Sequence, residues 1–334
     1  MPYKNSTEVI EKTDILDLSP EQNQEEVKKE IIEGLFAENK SISSKFFYDA
    51  KGSALFEEIT RLEEYYPTRS EKSILQSAGR SLIKEAAPLC ITELGSGDPS
   101  KISILLSRLT ARERSGITYR PVDISRTAVE DSLLRLHELF PELRTEGVIM
   151  DFTNQLQHMP EAEKNLYCFL GSTLGNFSRR QALQFLENLR ENMKEHDFLI
   201  LGLDQVKETD ILERAYNDKT GITAAFNRNI LSHLNRIIHA TFRENDFEHL
   251  AFYNQEKERI EMHLKARHNI MVNSPYFPAP LRINKDEYIH TENSNKFTQQ
   301  SGRELLKKAG FTQVNSFTDK YSWFDVLLLK PDKR

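Results

Sequence analysis

Residues 91–109 read ITELGSGDPSKISILLSRL: an apolar run reaching Glu93, glycines at positions 95 and 97, then an amphipathic helix. A strand that turns through glycines into a helix is the building unit of an open α/β sheet. At such a turn, backbone N–H groups can approach a ligand closely. A dinucleotide fingerprint would carry a third glycine at the sixth position, where this chain has Ser100. A triphosphate loop would carry a lysine followed by serine or threonine, whereas Lys101 is followed by Ile102. A diphosphate is therefore not the expected ligand.

The segments around this turn alternate between strand and helix. LCITELG leads to a helix from Pro99, GITYRPVDI to a helix from Ser125, then EGVIMDF, NLYCFLG, a helix from Ser178 and DFLILGLD. Such alternation predicts βαβ units and a parallel sheet covered on both faces. After Asp204 the pattern changes. TGITAAFNRNILSHLNRII reads as a long helix, and FEHLAFYNQ and RIEMHLKARHNIMVN as antiparallel strands. A helix from Gln299 to Ala309, followed by FTQVNSFT and YSWFDVLLLK, is expected to finish the sheet with an antiparallel edge. Near the start, EEVKKEIIEGLFAEN places Val27, Ile31, Ile32, Leu35 and Phe36 on one face for burial. The predicted organisation is a Rossmann-like α/β domain formed by 71–204 and 297–334. A sequence-split α+β domain formed by 26–70 and 205–296 would bind substrate, after a loosely ordered tail over 1–25.

The composition sets outer limits. A chain of 334 residues, 38% hydrophobic and 29% charged, fits two folded domains and has no uninterrupted apolar run long enough for a bilayer. A formal charge of -6 argues against a nucleic-acid partner. The basic clusters RSEK (69–72) and RLTARER (108–114) read as solvated faces. No secretory signal is visible in MPYKNSTEVIEKTDILDLSPEQNQEE, so the cytoplasm is expected, with no membrane association and a monomeric state. Cys90 and Cys168 lie in apolar runs without metal or redox spacing and read as buried thiols. The histidines lack ligand spacing, and no metal is expected.

Three successive strand ends carry groups of one chemistry. The second expected strand ends at Asp123, where an acid can accept from ribose hydroxyls. The third ends at Asp151 and Phe152, an acid for the exocyclic amine of adenine and a ring to pack against it. With the glycine turn at Gly95 and no phosphate binder, the set favours S-adenosylmethionine.

The chain also resembles the histidine-specific methyltransferases of ergothioneine biosynthesis. The resemblance is carried by KFFYDAKGSALFEEITRLEEYYPTRSE, ELGSG, FLGSTLGNF, GITAAFNRNILSHLNR, ERIEM and the latter part of TENSNKF, in that order, over about residues 45–300. It implies a class I S-adenosylmethionine-dependent methyltransferase domain. Gly95, Lys101, Asp123, Asp151 and Phe152 would contact the donor. Tyr65, Asn176, Tyr216, Glu292 and Ser294 would hold the amino acid, and Tyr48, Phe56, Gly171, Thr173 and Met262 would line its pocket.

The implied reaction is methylation of the α-amino group of free L-histidine, three times, to the betaine hercynine. Asn176 would meet the amine or carboxylate, and the Tyr216 hydroxyl would donate to the carboxylate. Glu292 and Ser294 would read the imidazole, which favours histidine over an indole or phenyl ring. Tyr48 would be a hydrogen-bond partner during proton loss. The alternative within the family is a tryptophan-derivative N-methyltransferase. Outside it are a nicotinamide-dependent oxidoreductase, against which the missing third glycine counts, and a binding protein without turnover. Asn293, Asp98-Pro99 and the segment 268–290 depart from the family's pattern, and that segment, which leads into the substrate residues, bears on side-chain specificity.

Overall fold

The structure is a computed structural model describing residues 14–18 and 24–333. In chain order the strands are β1 (Asp14–Asp17), β2 (Cys90–Leu94), β3 (Thr118–Asp123), β4 (Arg144–Ile149), β5 (Asn165–Phe169), β6 (Phe198–Asp204), β7 (Phe247–Asn254), β8 (Arg259–Ala266), β9 (Ile270–Val272), β10 (Leu281–Ile283), β11 (Tyr288–Asn295), β12 (Phe311–Thr318) and β13 (Phe324–Pro331). The chain divides into two compact units. One gathers Arg69–Gln205, the segment from Phe297 onward and β1; the other joins Val206–Lys296 to the segment ending at Thr68.

The first unit is built on an eight-stranded sheet in the order β1-β4-β3-β2-β5-β6-β13-β12. Strands β1 to β6 pair in parallel, while β13 runs antiparallel to β6 and β12 antiparallel to β13. The order reverses next to β2, at the position where open α/β sheets leave a crevice for ligands. Alternation along the strands supplies two cores. Leu166 and Cys168 of β5, Ile200 of β6 and Val326 of β13 face one side with Leu75, Leu82 and Leu105. Tyr167, Phe169, Leu199, Leu201 and Leu327 face the other with Leu186 and Leu306. Successive side chains of a strand point to opposite faces, so this unit buries both.

Helix starts follow local chemistry. Ser125 Oγ accepts from the Ala128 N–H ahead of the helix Arg126–Leu139, and Ser178 closes a capping box with Gln181 at Arg179–Asn192. Cys90 and Cys168 are buried and unpaired. One expectation is corrected: Asp14–Asp17, assigned above to a loose tail, form a strand paired with Glu146–Ile149. Residues 1–13 and 19–23 of that expected tail lie outside the described residues.

The second unit contains a three-stranded antiparallel sheet, β11-β8-β7, and the hairpin β9-β10. Its longest helix, Ile222–Ile238, buries Phe226, Ile230, Leu231 and Leu234. Phe47 stacks on Phe226 with centroids 4.5 Å apart. Asp49 caps the helix Ala50–Arg61 through the Gly52 N–H, and the same oxygen accepts from Asn229 at 2.8 Å. On the helix Gln24–Phe36, Ile31 and Leu35 are buried as expected. Phe36 is not: it is 37% exposed and meets the edge of Phe277 at 5.2 Å. Among the described residues no helix is long and apolar enough to cross a membrane.

Candidate active site

In the first unit the turn after β2 depends on glycine. Gly95 and Gly97 have φ of +72° and +34°, in the left-handed region where a side chain is strained. The turn is tied to β3 by Gly95 N–H donating to the Val122 carbonyl at 2.8 Å. Asp123 receives the Gly97 N–H on Oδ2 at 3.3 Å and the Ser125 N–H on Oδ1 at 2.9 Å. Burial raises its carboxyl pKa despite these bonds. A carboxylate has about four acceptor positions, so both oxygens retain capacity for hydroxyl donors.

Phe152 lies beside the turn, with ring atoms 3.8 Å from where a Gly95 Cβ would stand. The edge-to-face contact with Phe169, at 5.9 Å, holds that ring. Asp151 is more committed than the sequence indicates. Its Oδ1 accepts from the Thr153 N–H and hydroxyl, and its Oδ2 accepts from Asn154 at 3.0 Å. The buried Ser96 hydroxyl has no partner among the described residues. An open glycine turn, an acid with spare capacity, an adjacent ring and an orphaned hydroxyl fit the ribose and adenine of S-adenosylmethionine.

Lys101, in the first turn of the helix Ser100–Ser107, pairs with Glu71 at 2.7 Å. Glu71 is wholly buried, and both its oxygens accept the Gly171 N–H at 2.9 Å. Glycine makes the space on both sides. A Cβ at Gly202 would stand 2.2 Å from Glu71 Oε1, and one at Gly171 would stand 2.9 Å from Lys101 Nζ. Sequence reasoning placed Glu71 in the solvated RSEK cluster, which the structure corrects. Thr173 follows in a 3-10 turn, its hydroxyl donating to the Leu170 carbonyl at 2.8 Å, and Asn176 ends that turn half-buried. Behind the turn, Glu93 is buried and accepts the Tyr119 hydroxyl at 2.6 Å, while desolvation pushes its carboxyl up to about 8.

In the second unit the sequence-predicted residues fall into two groups. Tyr48, Phe56, Tyr65 and Tyr216 form an edge-to-face series with successive centroids 5.8, 6.3 and 6.1 Å apart. Tyr48, at 41% exposure, is the open end. The other group lies on β11 and β8. Glu292 is paired across the ladder with buried Met262, just after a register shift that follows His290. Ser294 lies two residues on and therefore on the same face. Desolvation pushes the Glu292 carboxyl up to about 7, against the opposing charge of Lys296.

Tyr216 differs from the expectation. Its hydroxyl donates to Ser294 Oγ at 2.7 Å and is not left for a substrate carboxylate. Lys296, wholly buried, donates to Tyr216 Oη at 3.1 Å and to Ser294 Oγ at 2.9 Å. The sequence reading missed it, although residues 292, 294 and 296 share one strand parity and the signal was available.

The sheet order and the site of its crevice define a class I S-adenosylmethionine-dependent methyltransferase fold. Residues 27–331 match the family described as histidine-specific methyltransferase, SAM-dependent, and the chain belongs to that family, with S-adenosylmethionine as its methyl donor. It is 36% identical over 311 residues to the histidine N-alpha-methyltransferase of Mycolicibacterium smegmatis, covering 93% of this chain and 97% of the relative. Ergothioneine biosynthesis protein 1 of Schizosaccharomyces pombe is 28% identical over 83% of this chain, which spans 37% of that protein. An L-tryptophan methyltransferase of Psilocybe serbica is 27% identical over 90% of this chain and 91% of its own length.

Proposed function

We propose that the enzyme methylates the α-amino nitrogen of free L-histidine, in three successive transfers, to give the trimethylated betaine of ergothioneine biosynthesis. The observation that carries this reading is the face of β11 bearing Glu292 and Ser294, with buried Lys296 following at the same two-residue spacing just past the strand's end. An acceptor and a hydroxyl side by side suit a ring with two nitrogens, and a ligand that leaves them unpaired pays their desolvation. Met262, opposite Glu292, gives the ring an apolar floor.

The donor supplies an electrophilic methyl group on a sulfonium. Gly95, Asp123 and Phe152 are assigned to its nucleoside and Lys101 to its carboxylate, with Glu71 holding the ammonium in place. Asp151 is assigned to the adenine amine through capacity left on Oδ2. On the amino-acid side, the family resemblance assigns Asn176 and Tyr65 to the amine and carboxylate, and Gly171, Thr173 and Phe56 to the surroundings. Alignment does most of the work in such a displacement, with reacting atoms held roughly 3–3.5 Å apart. The substrate amine titrates near ~8 in water, so a modest shift delivers the neutral nucleophile. Tyr48 accepts a hydrogen bond from that amine as it loses its proton, directly or through water. After the last transfer no N–H remains to hold, and the product leaves.

The test is to incubate the purified protein with S-adenosylmethionine and each proteinogenic amino acid separately and weigh the products. Histidine gaining one, two and three methyl groups is expected. Methylated tryptophan with unmodified histidine would overturn the substrate assignment.

A further inference from the structure

Lys296 is a charged side chain with no exposed surface. Burying an ammonium is costly unless its hydrogens are used. It can only donate, and it donates to the hydroxyls of Tyr216 and Ser294 at 3.1 and 2.9 Å. The Tyr216 O–H is itself spent on Ser294 Oγ at 2.7 Å. That direction is chemically favoured, since a phenol is a stronger donor and a weaker acceptor than an aliphatic hydroxyl.

A serine oxygen has two lone pairs and one hydrogen. In this triad both lone pairs are filled, one by Lys296 and one by Tyr216. No described residue accepts the remaining Ser294 hydrogen. Ser294 has thus lost the choice of role that a hydroxyl ordinarily has.

We propose that Lys296 is a positioning and specificity-determining residue: it locks Ser294 as a donor, so the site admits a ring with an unprotonated nitrogen at that point. This rests on the reading above that Glu292 and Ser294 meet the imidazole. Glu292 can then accept an N–H while Ser294 gives its proton to the bare nitrogen. The pair together selects the neutral imidazole in a single tautomer. An indole has an N–H but no bare ring nitrogen, so it leaves the Ser294 proton unpaired. A thiophene ring satisfies neither group.

The test measures, by calorimetry on the full chain, affinities for L-histidine, 3-(2-thienyl)-L-alanine and S-adenosylhomocysteine. For Lys296→Met, histidine affinity is expected to fall roughly tenfold or more, with thienylalanine affinity changed by less than about threefold and S-adenosylhomocysteine affinity by less than about twofold. Ser294→Ala should behave alike, and the double variant should add little, because one residue acts through the other. Lys296→Arg, which keeps a buried donor, should recover part of the preference for histidine. Equal weakening of both amino acids, or additive losses in the double variant, would overturn the inference. If Lys296→Met does not fold, Tyr216→Phe removes the hydrogen that fills the second lone pair and keeps the cation; an unchanged preference for histidine then overturns it. A wild-type protein without that preference, or a Ser294→Ala variant that retains it, would instead sink the assignment of the imidazole to Glu292 and Ser294.

Discussion

Glu71 Oε2 is 2.7 Å from Lys101 Nζ, and the glutamate carboxylate is wholly removed from solvent. Breaking such a pair from one side leaves an uncompensated charge, which costs about 3–5 kcal/mol when both groups are buried and less where one keeps some exposure, as Lys101 does. Glu71→Gln is therefore expected to lower the melting temperature by several degrees. It should also weaken S-adenosylhomocysteine binding by roughly tenfold, because the freed Lys101 is no longer held in place. Calorimetry with that ligand checks it; unchanged affinity would make Glu71 a structural residue only.

Removing the Glu292 carboxylate separates substrate recognition from donor recognition. Glu292→Ala should raise the KM for histidine by roughly a hundredfold while leaving S-adenosylhomocysteine affinity within about twofold. Steady-state kinetics and a binding titration on the same preparation measure both. Equal losses would show that the residue supports the fold.

The pH dependence of stability follows from the carboxyls that burial raises. Glu93 moves from 4.5 to about 8 and Glu292 from 4.5 to about 7. Each holds its proton more tightly in the folded state, so its stabilising contribution is fully present below about 4.5 and is lost as pH rises through the folded value. The melting temperature should decline between about pH 6.5 and 8, above the range in which desolvated His249, His263 and His290, with folded pKa values lowered from 6.5, add stability as pH rises. Glu93→Gln should flatten the upper part of that decline, and a variant retaining the full slope would refute the assignment.

The glycine turn has a conformational demand independent of space. A Cβ at Gly95 would stand in ordinary contact with Phe152, at 3.8 Å, but φ is +72°. Gly95→Ala should cost on the order of 1 kcal/mol in stability from backbone strain. Donor affinity should fall with it, read from the thermal shift that S-adenosylhomocysteine induces. A variant as stable and as responsive as wild type would remove the turn from the donor site.

Tyr48 stands at the open end of the aromatic series and is 41% exposed. An exposed phenol is a poor base at neutral pH. Tyr48→Phe is expected to lower kcat by less than about tenfold, as for a residue that accepts a hydrogen bond without carrying the reaction alone. A loss above about a thousandfold would identify it as the essential base.

What the sequence discloses here tracks how local the cause is. The strand ends carrying Asp123 and Phe152, and the helix starts at Ser125 and Ser178, depend on neighbours within a few residues. Glu71 was illegible because RSEK is charged, and the glycines that make room for it and its partner, Gly202 and Gly171, lie far along the chain. Asp14–Asp17 escaped notice because a four-residue strand with acids at both ends has weak periodicity of its own and is defined by pairing with β4. Lys296 followed a legible rule, since it continues the parity of Glu292 and Ser294. The expectation that charged residues avoid full burial concealed it.

Strand β1 has a consequence for how the protein would fail. It covers the backbone of β4 from Glu146 to Ile149 and lays Ile15 against Val129, Leu133 and Ile149. A chain clipped after Leu18 would bare a row of unsatisfied amides and carbonyls beside a greasy notch, ready to zip onto another molecule. Trimming this end for crystallisation would thus favour self-association of the shortened chain, before any effect on turnover became visible.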